Sequence, residues 1–132
     1  MNTQSNPQVI QDLYATFQRG DIPGVLNLLH ADAELNFEGP ASIPWAGNFR
    51  GREAWSKFFQ AIGNNVDQVT VQMQPFATEG DRVVAVGRYQ AHVKRTGKRI
   101  DSPLVHLWTL RDGKVIRCLE LTNTAAEAQA FE

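Results

Sequence analysis

The sequence predicts an α+β domain in which three helices of the N-terminal half cover the concave face of a cone-like, curved antiparallel β-sheet. Three observations carry this expectation. Apolar residues recur with helical period in three stretches before residue 63. They alternate with period 2 in long stretches after Asn65. Asp112-Gly113 separates two runs rich in β-branched and aromatic residues, which is a strong short-range hairpin signature. Helices first and tightly connected strands second is an α+β order. The 132 residues are read as one domain, 1–132, of a size that buries roughly two-thirds of its unfolded surface.

Residues 1–6 read as a polar, flexible tail. From Pro7, the residues Ile10, Leu13, Tyr14 and Phe17 fall on one helical face, and Gly20 ends the helix. Asp21 is placed to cap a shorter helix carrying Ile22, Val25, Leu26 and Leu29, with Pro23 in its first turn. Ala33 to Glu38 alternates as a half-buried strand. Gly39 to Gly51 is a loop holding Trp45 and Phe49, long enough to be a lid or pocket rim. Arg52 to Ile62 returns to helical period through Trp55, Phe58, Phe59 and Ile62. Strands follow over Val69 to Gln74, Arg82 to Val93, and the two arms of the Asp112-Gly113 hairpin, with a short final helix over 125–131.

Composition narrows the function. With 13 basic and 14 acidic residues and no charge run, neither nucleic acid nor a membrane surface is the expected partner. No apolar stretch approaches the length of a membrane span. The single cysteine, Cys118, allows no internal disulfide and reads as a small buried strand residue. The expectation is a soluble cytoplasmic protein. No metal-ligand spacing and no nucleotide motif occurs, so neither metal nor cofactor is expected. In the last two strands both parities are apolar, and the helices suffice for one face. A homodimer through the outer sheet face is therefore expected.

The hairpin carries two groups that an ordinary strand avoids, His106 and Glu120. A two-residue loop pairs Arg111 with Lys114 and sends them to opposite faces. A three-residue loop with a bulge pairs Leu110 with Lys114, sets His106 opposite Cys118, and makes His106 and Glu120 diagonal neighbours. The second register is the expectation. The bland alternative for Glu120 is an exposed residue paired with Arg117 or Arg88.

The order of elements, together with Arg19-Gly-Asp21, Trp45-Ala-Gly47, Phe49-Arg-Gly-Arg-Glu53 and Arg111-Asp-Gly-Lys-Val115, resembles the SnoaL-like branch of the nuclear-transport-factor-2-like superfamily, which includes ketosteroid isomerase and limonene epoxide hydrolase. The resemblance spans nearly the whole chain. It implies a cystatin-like cone fold and a cavity between helices and sheet, and it leaves the activity open because this fold hosts unrelated ones. SnoaL-type polyketide cyclases carry a histidine on the penultimate strand and an acid on the last, and His106 and Glu120 stand at those places. The epoxide hydrolases share the acid, but at the rest of their triad this chain has Gly87 and Tyr89 or, one step shifted, Arg88 and Gln90. The isomerase's base falls at Phe37 or Glu38, its second acid at His106 and its tyrosine nearer Leu13 than Tyr14. The chain thus departs from that enzyme's pattern at the base itself.

A carboxyl and an imidazole side by side in an apolar cavity are suited to moving a proton near neutral pH. The expected site has Glu120 and His106 as catalytic residues. Tyr14, Leu35, Phe37, Trp45, Phe58, Leu104 and Trp108 are expected to contact a small hydrophobic carbonyl compound, in isomerase, cyclase or dehydratase chemistry. The competing expectation is a non-catalytic dimer that binds a small molecule or has filled the cavity, and cavity volume discriminates the two.

Overall fold

Helix α1 (Asn6–Gln18) starts at Ser5, whose Oγ accepts from the Gln8 N–H at 3.4 Å, with Pro7 in the first turn. The computed structural model describes residues 4–132, and the part of the expected tail before Gln4 lies outside the described residues. Ser5 and Asn6, placed in that tail on sequence grounds, are the cap and first residue of the helix. The buried face of α1 holds Val9, Ile10, Leu13 and Tyr14. Gly20, at φ +75°, turns the chain into α2 (Ile22–Asn27), where Asp21 Oδ1 accepts from the Gly24 N–H at 3.0 Å.

Strand β1 (Leu29–Phe37) begins earlier than the alternation suggests. The expected loop after it contains a short strand, β2 (Gly47–Arg50), paired antiparallel to β1. Helix α3 (Arg52–Asn65) is anchored to β1 by two hydrogen bonds, Trp55 Nε1–H to the Ala33 carbonyl at 3.0 Å and the Arg52 guanidinium to the Leu29 carbonyl at 2.7 Å. Strands β3 (Val66–Glu79), β4 (Arg82–Val93), β5 (Arg99–Arg111) and β6 (Lys114–Thr122) follow, and α4 (Thr124–Ala130) ends the fold. Pro75 lies within β3, which tolerates it because β3 is an edge strand with a register shift at that point.

The sheet order is β2-β1-β6-β5-β4-β3. Against the expectation of a wholly antiparallel sheet, β1 runs parallel to β6. No turn joins these two strands, so nothing imposes the antiparallel pairing that hairpins give β3 through β6. At Gly87 of β4 the neighbouring strand comes so close that a Cβ would stand 1.9 Å from the Gln72 carbonyl oxygen. Only glycine admits that approach.

The register of the last hairpin differs from the expected one. Asp112 (φ 52°) and Gly113 (φ 76°) form a two-residue turn, and Arg111 pairs with Lys114. A bulge then adds Ile116 to β6, between the Leu110–Val115 and Thr109–Arg117 pairs. Without the bulge, Leu119 and Leu121 would face inward and Glu120 outward. With it, Glu120 stands directly opposite His106 and Cys118 opposite Trp108. The expected shared face is observed, through a turn and a bulge rather than through a three-residue loop. On β5, Ile100, Ser102, Leu104, His106, Trp108 and Leu110 are all buried. On the opposite face Val84, Val86, Val105, Leu107 and Leu119 are half-buried and Leu121 is 48% exposed.

Candidate functional site

The amphipathic face of α1 lays Tyr14 across the inner side of β5, and a chain of hydrogen bonds runs from there to β6. Trp108 Nε1–H donates to the Tyr14 hydroxyl oxygen at 2.9 Å, and that hydroxyl lies 2.6 Å from His106 Nδ1. His106 Nε2 in turn lies 2.8 Å from Glu120 Oε1. The donor roles follow from satisfying every atom. Indole is donor only, so it occupies a lone pair of Tyr14, whose O–H then donates to Nδ1. The proton of the neutral imidazole therefore sits on Nε2 and is donated to the Glu120 carboxylate. The rings reinforce this order: Tyr14 stacks on His106 at 5.7 Å and 15°, and Trp108 meets His106 edge-on at 5.1 Å.

Burial raises the Tyr14 hydroxyl above its ordinary range, and the Trp108 N–H only partly offsets this, so Tyr14 stays protonated and able to donate. Cys118, fully buried beside Glu120, has its thiol pushed up by burial first and by the carboxylate second. It is a neutral strand residue, as the sequence suggests.

His106 is 7% exposed and the Glu120 side chain 13%. Both line a cavity of about 90 Å³ between α1, α3 and the inner sheet face. Of the residues expected on sequence grounds, the cavity brings together Glu120, His106, Tyr14, Leu35, Trp45, Phe58, Leu104 and Trp108. Phe37 is not in its lining: it is 1% exposed and packs near Gly39 and Ile43, in the core beside the cavity. Trp45 reaches the cavity from the loop and meets Phe131 edge-on at 5.6 Å. Glu120 pairs with neither arginine proposed for it. Arg117 lies 3.6 Å from Glu34, and Arg88 is 2.6 Å from Asp101. His92 bonds Asp67 at 2.7 Å. Among the described residues, no three histidine, cysteine, aspartate or glutamate side chains converge as a metal ion needs.

Sequence reasoning passed over two polar residues near this cavity. Tyr89 of β4 lines it, and Glu127 of α4 is fully buried behind it. Tyr89 had a signal, since it shares the inward parity of Ala91 and Val93. Glu127 stands alone in a run of alanines, and a lone acid in a short helix normally reads as solvated.

The SnoaL-like domain model matches residues 10–118. An NTF2-like protein from Burkholderia xenovorans LB400 is 32% identical, with 100% of this chain and 99% of that chain covered and a TM-score of 0.86. A second NTF2-like protein, from Burkholderia thailandensis E264, is 27% identical over 98% and 99% of the two chains, with a TM-score of 0.88. TerC, co-crystallised with polyporic acid, is 27% identical over 96% and 97%, with a TM-score of 0.86. No curated protein matches the sequence. Family match and overall structure agree, and the chain belongs to the SnoaL-like domain family of the nuclear-transport-factor-2-like superfamily.

Proposed function

We propose that the protein is an acid/base enzyme that acts on a small hydrophobic carbonyl compound, in isomerase, cyclase or dehydratase chemistry, with side chains alone supplying acid and base. The observation that carries this is the 2.8 Å His106–Glu120 bond in the wall of an otherwise apolar cavity. A carboxylate hydrogen-bonded to an imidazole on a cavity wall is suited to taking up and returning a proton. Glu120 takes the proton at the carbon next to the carbonyl. His106, held by Tyr14, orients the carboxylate and steadies its charge. TerC's co-crystallisation with polyporic acid supports a small-molecule ligand in a relative.

The test needs no known substrate. Cyclic ketones, 1,3-diketones and polyketide-like aromatics are incubated in deuterated buffer, and α-proton exchange is followed by NMR. Exchange by the wild type that Glu120→Gln removes supports the reading. Exchange that is indifferent to Glu120, or absent for every compound, counts against it.

A second reading has its own observation. A cavity of about 90 Å³ is well under the roughly 300 Å³ at which drug-sized sites begin, which favours a non-catalytic domain that binds a very small ligand or has filled its cavity. In either reading we propose a homodimer through the outer sheet face, where Val84, Val86, Val105, Leu107, Leu119 and Leu121 adjoin in register. Sedimentation of the wild type against Leu107→Lys tests it, with a dimer expected only for the wild type.

A further inference from the structure

The relay uses up the donors at the polar spot of the cavity. The Trp108 N–H goes to Tyr14, the Tyr14 O–H to His106 Nδ1 and the His106 N–H to Glu120 Oε1. Elsewhere in the wall the Trp55 N–H is spent on the Ala33 carbonyl, and the Tyr89 hydroxyl is inaccessible. The Trp45 N–H, on the loop, lies outside the relay. The second carboxylate oxygen, Glu120 Oε2, has no hydrogen bond among the described residues, and the Glu120 side chain keeps part of its surface open. What this spot offers a ligand is a charged acceptor and no donor.

Charge and lining point the same way. Among the described residues the cavity wall holds no lysine or arginine, and its histidine is neutral in the relay, so Glu120 carries the only charge there. Eight of the nineteen lining residues are phenylalanine, tyrosine or tryptophan, and all three tryptophans of the chain are among them. Aromatic faces attract a cation placed over them, tryptophan most strongly. Tyr14 and Trp108 pack against the imidazole that holds Glu120, so rings and carboxylate act on one space. Besides Glu120, the half-buried lining residues are Phe17, Phe59, Ile62, Val69 and Val71, an apolar rim. A hydrated metal ion gains nothing from that rim, and among the described residues no ligand cluster stands behind it. A cation with an alkyl skin and one N–H suits rim, rings and carboxylate together.

We propose that the cavity is a binding site for a small protonated alkylamine, whose N–H donates to Glu120 Oε2 while its alkyl groups lie against the tryptophan and tyrosine faces. The volume sets the size: about 90 Å³ is on the order of three waters at about 30 Å³ each, room for an amine of about four to six non-hydrogen atoms. A carboxylate with a free oxygen in an apolar wall is costly until an opposite charge joins it, and the ammonium supplies that charge. The inference rests on the second reading above, a domain that binds a very small ligand, and names that ligand's chemistry. No covalent bond forms or breaks.

The experiment compares two five-membered rings with the same number of non-hydrogen atoms, N-methylpyrrolidine, which is protonated at neutral pH, and cyclopentanone, which is neutral. Each is titrated against the protein by ¹H NMR, where the ring currents of an aromatic cage move bound ligand protons upfield. The wild type is expected to bind the amine at least about tenfold more tightly than the ketone, the size of one hydrogen bond to a charged group. Quaternary N,N-dimethylpyrrolidinium keeps the charge without the N–H and is expected to bind about tenfold more weakly than the amine. Glu120→Gln keeps an acceptor for His106 and puts an N–H donor in place of Oε2. It is expected to lose the amine about tenfold or more and to gain the ketone, so that the preference inverts. The comparisons in the wild type stand whatever the variant does. Equal affinity for amine and ketone, a preference for the amine that survives Glu120→Gln, or a quaternary ion bound as tightly as the amine overturns the proposal. A wild type that takes cyclopentanone alone overturns the amine and leaves the small-ligand reading standing. One that takes neither ring overturns both.

Discussion

Glu120 in the cavity wall and Glu127, fully buried behind it, are two neighbouring carboxyls, and the chain treats them in opposite ways. Glu120 has a full partner in His106 Nε2, which is itself fixed by Tyr14 and Trp108. Glu127 has hydroxyls close by and no completed hydrogen bond. Burying a charge is costly unless it is paired, and an unpaired group goes neutral instead. The cavity wall thereby holds a partnered carboxylate, and the core behind it a carboxyl biased toward its acid form.

The largest test of this contrast is chemical. Glu120→Gln is expected to slow α-proton exchange about a hundredfold, within the range that a positioned general base contributes, whereas Glu127→Gln stays within about tenfold of the wild type. Equal losses in the same NMR assay would erase the distinction. Stability sharpens it next. Glu120→Leu leaves the His106 N–H unpaired and is expected to cost about 1–3 kcal/mol. Glu127→Leu removes a carboxyl that has no partner, and the expected change is stabilising, about 1–3 kcal/mol. Urea denaturation of both variants at neutral pH reads the two signs directly.

How far such a site is legible in a sequence depends on which neighbours settle it. Helical spacing in α1 and α3 places Tyr14 and Phe58 on inward faces, and the cavity contains both. Asp112-Gly113 marks the hairpin, and His106 with Glu120 marks the polar spot within it. The bulge at Ile116 leaves no such mark. Leu119 and Leu121 are as suited to a core as Cys118, so alternation on β6 does not choose a face, and the choice is made by packing against β5 and β1. Parallel pairing of β1 with β6 is likewise invisible, because the two strands are far apart in sequence and share no turn. Phe37 illustrates the same limit: its parity matches Leu35, but the turn at Gly39 and Ile43 takes its ring into the core. Glu127 escapes notice because a glutamate among alanines is ordinarily solvated, and only the sheet beneath α4 makes it a buried acid.

A milder perturbation, pH, separates the two carboxyls without mutation of the relay. Glu127 is raised above its ordinary value of 4.5 by burial first, with the charge of Glu120 adding to it and the hydroxyls of Thr122 and Tyr89 opposing it. Above pH 4.5 the unfolded chain releases the Glu127 proton while the folded protein still holds it. The folded state then binds more protons than the unfolded one, so this group's contribution to stability is full below 4.5 and falls as pH rises through the folded pKa. Glu127→Gln has no proton to lose, and its stability is expected to fall less steeply than that of the wild type over the same interval. Urea midpoints measured at steps from pH 4 to pH 9 give the two slopes. A wild-type curve parallel to that of the glutamine variant would mean that Glu127 is ionised in the folded protein. The two carboxyls would then differ in partners but not in protonation.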